Sequence, residues 1–481
     1  LGTSDIGSGV VLTESTILTG GCNQATVTGD THVYISGTSK VWDVQGAGRG
    51  GDSKVSGTAN VEVSGSALVK HALCGSITDG LWDEKYIDKA LGGRECVKNT
   101  VLTITDSSSV CAVFGAGYDT FYKARYPSML SGGTISVTLE GNCTVGYVYG
   151  GGYRGTVGTP AHPIGSVTVN ISGGIVLNDV FGGGRGGLDK MCHNADGSYY
   201  WSESYDDTTG FSSVYAETVI VKVSSGAVVR GSVYGGGESV PAISGYDGIG
   251  TSWQLGGNDR YKNSSESKTL QPVATVVSDI EVVVEGRVDG SVFGAGKGVD
   301  YSEMYDGRHA SAYIFAMDSE SGVHRIPWMA GSSTSEDIGT PFVQIGNPHE
   351  LFAPTKGNVA VVVSSASIGG SVYGGGELGV LSGDSVSVSV GRNESRSESA
   401  LIEGSVFGGG KGSESSSDAG LVSSKVKVEI GVCIVRGSVY GGGELARTEG
   451  AIEVVINGAE INSNVYGGGL GRAGVQSTNS K

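Results

Sequence analysis

The sequence predicts an all-β fold, a single right-handed parallel β-solenoid of about eleven coils with loop insertions at one corner. Two observations lead to this prediction. A glycine-rich motif recurs along the chain, as in Gly-Ser-Val-Tyr-Gly-Gly-Gly at 231–237, and a run of alternating β-branched residues precedes most copies. Glycine supplies 85 of the 481 residues, yet there is no Gly-X-Y period and there are only 9 prolines, which excludes a collagen-like chain.

The first strand of each coil is predicted from its alternation, because valine or isoleucine at every second position is typical of a strand with one buried face. The alternating positions include Val167, Val169, Ile171; Val219, Val221, Val223; Ile280, Val282, Val284; Val359, Val361, Val363; Val426, Val428, Ile430; and Ile452, Val454, Ile456. A turn of small residues, the motif strand and a third, glycine-rich side then complete a coil in about 20–25 residues. This length leaves no room for the crossover helix of a βαβ unit.

The motif itself is predicted to be a second alternating strand, with Val288, Gly290 and Val292 facing inward in one copy. The aromatic residue of the motif then points outward, and the stacked coils carry a structural ladder of rings. The reverse orientation, with rings inside and glycines leaving room for them, is the alternative. The ladder consists of Phe114, Tyr149, Phe181, Tyr234, Phe293, Tyr373, Phe407, Tyr440 and Tyr466.

A charged residue follows the glycines, and its sign alternates, basic after Phe and acidic after Tyr. This charge ladder comprises Arg185, Glu238, Lys297, Glu377, Lys411 and Glu444. Opposite charges about 5 Å apart on neighbouring coils attract each other. The ladder is therefore interpreted as a register lock or a charged seam for a second rod, or else as surface ion pairs worth about 0–1 kcal/mol each. In either case the repeating unit is a pair of coils.

Three regions are predicted: an N-terminal coil or partial cap at 1–30, solenoid repeats at 31–470, and a short polar tail at 471–481. Insertions are predicted near 76–99, 118–132, 187–216, 238–272, 298–357 and 391–400. Their aromatic and acidic residues indicate a glycan-binding surface, small satellite cores, or contacts with a neighbouring subunit. Four Asn-x-Ser/Thr sequences are candidate glycosylation sites: Asn142, Asn170, Asn263 and Asn393.

Composition and motifs argue against several functions. A net charge of −17 disfavours binding to nucleic acid, and no run of about 18 apolar residues predicts membrane insertion. The G-x-G-x-x-G matches precede no helix, so no nucleotide cofactor is predicted. The segment 46–52 weakly resembles calcium-binding nonapeptides, which makes Ca²⁺ the one cofactor that the sequence leaves open. No catalytic or metal-binding constellation is recognisable, and we expect that the protein is not an enzyme.

The tandem Val-Tyr-Gly-Gly-Gly and Val-Phe-Gly-Gly-Gly copies resemble the β-solenoid repeats of microbial cell-surface and adhesin-like proteins, over about residues 31–470. The resemblance implies an extracellular or cell-surface structural protein that serves as a stalk, adhesin or fibre. No cap is predicted at either end, so either the chain continues beyond these residues or another subunit stacks there. We expect end-to-end self-assembly into a homopolymer, with other surface components or glycans as further partners. The alternative is a polysaccharide-active lyase or hydrolase, or a glycan-binding module, on a parallel β-helix.

Overall fold

A computed structural model describes residues 2–12, 17–22, 25–48, 54–75, 97–117, 129–153, 157–158, 163–185, 192–193, 199–200, 212–239, 274–298, 313–318, 322–327, 353–391, 399–413 and 418–471. The regular elements of this part of the chain are strands. None of its residues lies in a helix long and apolar enough to cross a membrane.

In chain order the strands are β1 (Gly2–Ile6), β2 (Ile17–Thr19), β3 (Thr26–Val27), β4 (Thr31–Ile35), β5 (Lys40–Gln45), β6 (Lys54–Val63), β7 (Leu68–Leu73), β8 (Val97–Ile104), β9 (Ser109–Phe114), β10 (Met129–Leu139), β11 (Thr144–Tyr149), β12 (Ile164–Ile171), β13 (Ile175–Val176), β14 (Val180–Phe181), β15 (Cys192–His193), β16 (Tyr199–Tyr200), β17 (Val214–Val223), β18 (Val228–Val229), β19 (Val233–Tyr234), β20 (Val276–Val284), β21 (Arg287–Val288), β22 (Val292–Phe293), β23 (Tyr313–Asp318), β24 (Gly322–Pro327), β25 (Thr355–Lys356), β26 (Val359–Val363), β27 (Ser367–Ile368), β28 (Val372–Tyr373), β29 (Leu381–Ser382), β30 (Ser385–Val390), β31 (Ala400–Ile402), β32 (Val406–Phe407), β33 (Lys425–Ile430), β34 (Cys433–Val435), β35 (Val439–Tyr440), β36 (Ile452–Ile456), β37 (Glu460–Ile461) and β38 (Val465–Tyr466).

The longer strands form one parallel sheet, in which pairing follows the order β1-β4-β6-β8-β10-β12-β17-β20-β26-β30-β33-β36. Their register aligns the alternating residues of successive strands, so that Val167 lies beside Val219 and Val219 beside Ile280. Through the central strands the valines and isoleucines of this series are buried in one continuous apolar core. The all-β prediction is confirmed for the described residues, and their long parallel sheets are consistent with a parallel β-helix.

The motif strands form the second parallel stack, opposite the first across the core. Strands β7, β9 and β11 are continuous over six residues each. From β13 onward each motif strand is divided into two short strands, such as β21 and β22. In β11 two residues separate Val145 from Val148, whereas in the next coil three residues separate their partners, Val176 and Val180. The same spacing separates Val288 from Val292. The prediction of one alternating motif strand is therefore wrong for these coils. Val288 and Val292 reach the core, whereas Gly290 lies at the bend and is half-buried. The term coil denotes one strand of the first sheet with the short strands that follow it.

The first glycine after the aromatic residue is required by close packing between the two stacks. A Cβ atom on Gly182 would lie 2.6 Å from Val219 Cγ1 and 2.9 Å from Val221 Cγ2. Carbon atoms in a close-packed interior are separated by about 3.5–4.0 Å, so no side chain fits there. The glycine thus allows the motif backbone to lie directly against the valines of the first sheet.

Most of the predicted insertions lie outside the described residues, except for their edges and two short antiparallel pairs, β15–β16 and β23–β24. The predicted tail beyond residue 471 also lies outside them. At the last described coil, β36, β37 and β38 pair on one side only within the part of the chain that is described. There Val465 is 47% exposed, Tyr466 44% and Leu470 40%.

Candidate functional site

The aromatic residues of the motif form one continuous stack of rings. This ring stack contains Phe114, Tyr149, Phe181, Tyr234, Phe293, Tyr373, Phe407, Tyr440 and Tyr466. Neighbouring centroids are 4.6–5.0 Å apart, and the ring planes differ by only 2–8°. The separation equals the spacing of paired strands, about 4.7–4.9 Å, so the backbone pairing sets the stacking distance.

The rings lie on the side of the strand opposite the valine core. Val233 belongs to the apolar core, whereas the next residue, Tyr234, belongs to a separate cluster formed by the rings. From Phe114 to Phe407 these rings are almost completely buried. The ring stack is therefore a second core outside the first one; Tyr440 is half-buried, and Tyr466, the last ring described, is exposed.

Three tyrosine hydroxyls of the ring stack each donate a hydrogen bond to the glutamate of the charge ladder that lies two coils further along the chain. Tyr149 donates to Glu238, Tyr234 to Glu377, and Tyr373 to Glu444. In every case a phenylalanine coil lies between the two partners. Burial, together with the Glu377 carboxylate, raises the pKa of Tyr234 well above its ordinary value, and burial with Glu238 does the same for Tyr149. The phenols therefore stay protonated and act as donors.

The charge ladder lies across the edge of the ring stack and forms two runs of paired backbone. Arg185 pairs with Glu238 and Glu238 with Lys297, while Glu377 pairs with Lys411 and Lys411 with Glu444. Between the runs Lys297 pairs instead with Leu378, in the antiparallel sense. Ion pairs join neighbours within each run, Arg185 Nε to Glu238 Oε2 at 3.5 Å and Lys411 Nζ to Glu377 Oε1 at 2.8 Å. Although burial favours the neutral acid, Lys411 and Lys297 hold the pKa of Glu377 below its ordinary value.

Lys297 makes a different contact from the other basic residues of the ladder. Its Nζ lies 2.7 Å from Oδ2 of Asp179, and the exposed fractions of the two side chains are 13% and 9%. The same Nζ is 5.5 Å from the ring centroid of Tyr234, which belongs to the coil between them. Burial opposes the charged amine, but Asp179, Glu238 and Glu377 outweigh it and raise the pKa of Lys297. The ammonium is thus held among carboxylates.

A serine ladder runs beside the rings. Each serine hydroxyl accepts a hydrogen bond from the backbone N–H of the corresponding residue in the next coil, as Ser291 Oγ does from Ser371 N at 3.0 Å. The members are Ser232, Ser291, Ser371, Ser405 and Ser438, and the last one accepts from Asn464. Asp179 starts the series, because its Oδ1 accepts from Ser232 N at 2.8 Å.

Sequence reasoning did not identify the hydroxyl-to-carboxylate contacts, the serine ladder or Asp179. The signal in the sequence is the association of Tyr with Glu and of Phe with Lys or Arg in the six coils of the charge ladder. On sequence alone this pattern indicates contact between neighbouring coils only. Of the candidate glycosylation sites, Asn142 is exposed and Asn170 is half-buried on β12. Asn263 and Asn393 lie outside the described residues.

Other candidate sites are limited in the described part of the chain. No group of three or more His, Cys, Asp or Glu side chains there could hold a metal ion. In the segment that resembles calcium repeats, residues 46–48 are described and 49–52 are not. An open surface groove is lined by residues that include Tyr215, Glu217, Asp279 and Lys356.

Comparison with known proteins gives no relatives: no family model, curated protein or solved structure matches this chain.

Proposed function

We propose that the chain is an extracellular, non-enzymatic structural protein, a right-handed β-solenoid of about eleven coils that assembles end to end into a fibre or stalk. The observation that carries this proposal is the unbroken ring stack. Its side chains are used to bind one coil to the next, and the serine and charge ladders that run beside it do the same. These groups thus contribute to the length and rigidity of a rod.

The dimensions fit this role. Twelve strands follow one another in the first sheet, and at about 4.8 Å each they make a rod on the order of 50 Å long. Parallel pairing gives the rod a direction, because every coil repeats the same orientation. Addition of further coils in the same direction extends such a rod without closing a ring.

The last described coil supports the end-to-end part of the proposal. Val465, Tyr466 and Leu470 are exposed there, and the strands beside them have free backbone edges within the described chain. We propose that the first coil of a second copy covers this end, with its β1 beside β36, since within the described residues β1 pairs only with β4. Unpaired strand edges beside apolar side chains are the usual template for such addition. The inserted segments would then be displayed along the fibre for adhesion.

Electron microscopy and sedimentation of the purified chain test the proposal. We expect fibres that lengthen with protein concentration. Tyr466→Asp should prevent their formation, because it introduces a charge into the proposed contact. Val101→Asp is the matched control, since Val101 is 37% exposed on β8, in the middle of the first sheet, and this variant should still form fibres. Monomers that persist at high concentration would overturn the proposal.

A further inference from the structure

We propose that Lys297 and Asp179 become joined by an amide bond, a covalent cross-link between two side chains that lie two coils apart. The ammonium and the carboxylate would condense with loss of one water molecule. This modification is independent of fibre formation and of the cellular location of the protein. It requires only the groups that surround the contact in the folded chain.

The reacting groups are already held together. Lys297 Nζ contacts Asp179 Oδ2 at 2.7 Å, and both side chains are largely withdrawn from water. The fold fixes both of them, since Asp179 precedes β14 and Lys297 follows the glycines after β22. Well-oriented intramolecular reactants reach effective concentrations of about 10⁵ M or more, which compensates for the poor reactivity of a carboxylic acid.

A hydrogen-bond donor stands at the oxygen that would carry negative charge. Asp179 Oδ1 accepts from the backbone N–H of Ser232 at 2.8 Å, while the other oxygen, Oδ2, contacts the amine. When Nζ attacks Cγ, the electron pair of the C=O bond moves to Oδ1. A fixed N–H at that atom stabilises the resulting oxyanion, as in enzymes that catalyse acyl transfer.

Proton transfer is assigned to Glu238, because its coil lies between those of Asp179 and Lys297. Its side chain is fully buried, and its backbone pairs directly with that of Lys297 on the neighbouring coil. Its Oε2 accepts the hydrogen bond of the Tyr149 hydroxyl and lies 3.5 Å from Arg185 Nε, and its carboxylate is one of the three that raise the pKa of Lys297. A buried carboxylate beside an amine can accept a proton from the amine and return it to a leaving oxygen.

The steps balance without any other reactant. A proton moves from the Lys297 ammonium to Oδ2 of Asp179, which gives a neutral amine and a neutral acid. Nζ then forms a bond to Cγ, and the tetrahedral intermediate carries its negative charge on Oδ1. Glu238 takes a proton from the nitrogen and delivers it to the Oδ2 hydroxyl, which leaves as water while the C=O bond reforms. The ion pair is the resting form, so we expect the reaction to follow folding slowly.

The coil of Lys411 provides an internal comparison, because it has the lysine but lacks the aspartate. Lys411 occupies the place of Lys297 two coils further on, but the residue that corresponds to Asp179 is Ser291, which belongs to the serine ladder. Lys411 instead contacts Glu377 and is 41% exposed, so water solvates its ammonium. Arg185 has Ala112 at the corresponding position, and a guanidinium is not a nucleophile. Within the described coils, only Lys297 combines burial with a carboxylate at this place.

Mass spectrometry of the denatured full chain tests the proposal. After incubation at pH 7, we expect the measured mass of the wild-type chain to be about 18 Da below the mass calculated from its sequence, which is the loss of one water. Proteolysis should yield a branched peptide that links residues 179 and 297. Asp179→Ser, which places the serine of the other coils there, and Lys297→Arg, which keeps the charge, should both restore the full mass. Glu238→Gln should slow the loss of water at least tenfold.

A gain of function provides a second measurement. Ser291→Asp should create a second cross-link, to Lys411, and double the mass loss, because Ser371 N and Glu377 there correspond to Ser232 N and Glu238. Its absence from a folded Ser291→Asp variant would contradict the claim that these four groups suffice. An unchanged wild-type mass after prolonged incubation would overturn the proposal. So would a linear dehydrated peptide, because a succinimide at the aspartate also loses water but forms no branch.

Discussion

The hydroxyl of Tyr234 donates a hydrogen bond to the carboxylate of Glu377, a residue 143 positions further along the chain. The coil of Phe293 lies between them, and its ring stacks on that of Tyr234. The hydroxyl thus bonds to the second coil along the rod, while the ring stacks on the next one. Because the pattern recurs at Tyr149 and Tyr373, alternate coils are coupled directly through their side chains. This pairing accounts for the alternation of Phe and Tyr from Phe114 to Tyr440, which ends where Tyr466 follows Tyr440.

Removal of this hydroxyl should destabilise the rod locally. In Tyr234→Phe the ring stack is preserved, but the Glu377 carboxylate, 22% exposed, loses a partly buried hydrogen bond. Loss of one partner of a hydrogen bond that is withdrawn from water costs about 1–3 kcal/mol. Urea unfolding should therefore begin at a lower concentration. Hydrogen exchange should locate the loss of protection at the coils of Tyr234 and Tyr373.

Tyr466→Phe is the matched control for that substitution. In the unassembled chain its ring ends the described stack and is 44% exposed, so water solvates its hydroxyl; both variants are therefore compared as monomers. We expect a change within about 0.5 kcal/mol, as for most surface substitutions. Equal effects of the two variants would show that the hydroxyl of Tyr234 contributes nothing specific.

The partly buried carboxylate of Glu377 should make the protein sensitive to acid. Lys411 and Lys297 keep the pKa of this residue below its ordinary value in the folded chain, despite its burial. As the pH falls below about 4.3, Glu377 binds a proton in the unfolded state but stays ionised in the folded state, so the free energy of unfolding decreases. In urea titrations between about pH 5 and about pH 3, we expect the free energy of unfolding of Glu377→Gln to decline less steeply than that of the wild-type chain. An identical slope for wild type and variant would contradict the assignment.

At alkaline pH the free energy of unfolding should decrease as the pH rises, because of the buried phenol of Tyr234. Burial and Glu377 raise the pKa of Tyr234 in the folded chain. Above about pH 10 the unfolded phenol loses its proton while the folded one retains it, so stability decreases as the pH rises. In urea unfolding between about pH 9 and about pH 11, the free energy of unfolding of Tyr234→Phe should decrease less than that of the wild-type chain. A decrease as steep as that of the wild type would mean that another group controls the alkaline transition.

Much of the fold could be predicted from the sequence because its signal is local. Alternation at Val219, Val221 and Val223 directly predicts a strand with one buried face, and the structure places these residues on β17. The division of the motif strand could not be predicted in this way. One additional residue between the paired positions creates the bend at Gly290, and strand periodicity does not distinguish such an insertion from a continuous strand.

The contacts of the candidate site depend on distances that the sequence does not specify. Asp179 and Lys297 are 118 residues apart and lie on coils that are not neighbours. Alignment of the copies places Asp179 at a position that holds serine in later coils, which is a visible departure from the repeat. Its meaning depends on how far the Lys297 side chain extends along the rod, and that requires the structure.

A methyl group at Gly182 should disturb the packing between the two sheets. Its Cβ would lie 2.6 Å from Val219 Cγ1, so Gly182→Ala must push the motif strand away from the first sheet. Overpacking of this kind costs about 1–3 kcal/mol. Gly467→Ala is the control, because the corresponding glycine of the last described coil has no atom within 4 Å of the added carbon. Thermal unfolding should separate the two variants, and a comparable loss of stability in both would contradict the packing explanation.

The serine ladder should contribute to stability through the backbone of the next coil. Ser371 Oγ accepts from Ser405 N at 2.9 Å, while Ser371 N donates to Ser291 Oγ. Ser371→Ala removes the acceptor but leaves the donor, so we expect a loss of about 0.5–1.5 kcal/mol, with faster hydrogen exchange at the Ser405 amide. Ser387→Ala is the control, since Ser387 is half-buried on β30 and takes no part in this ladder. Unchanged exchange at Ser405 in the Ser371 variant would show that water replaces the hydroxyl without cost.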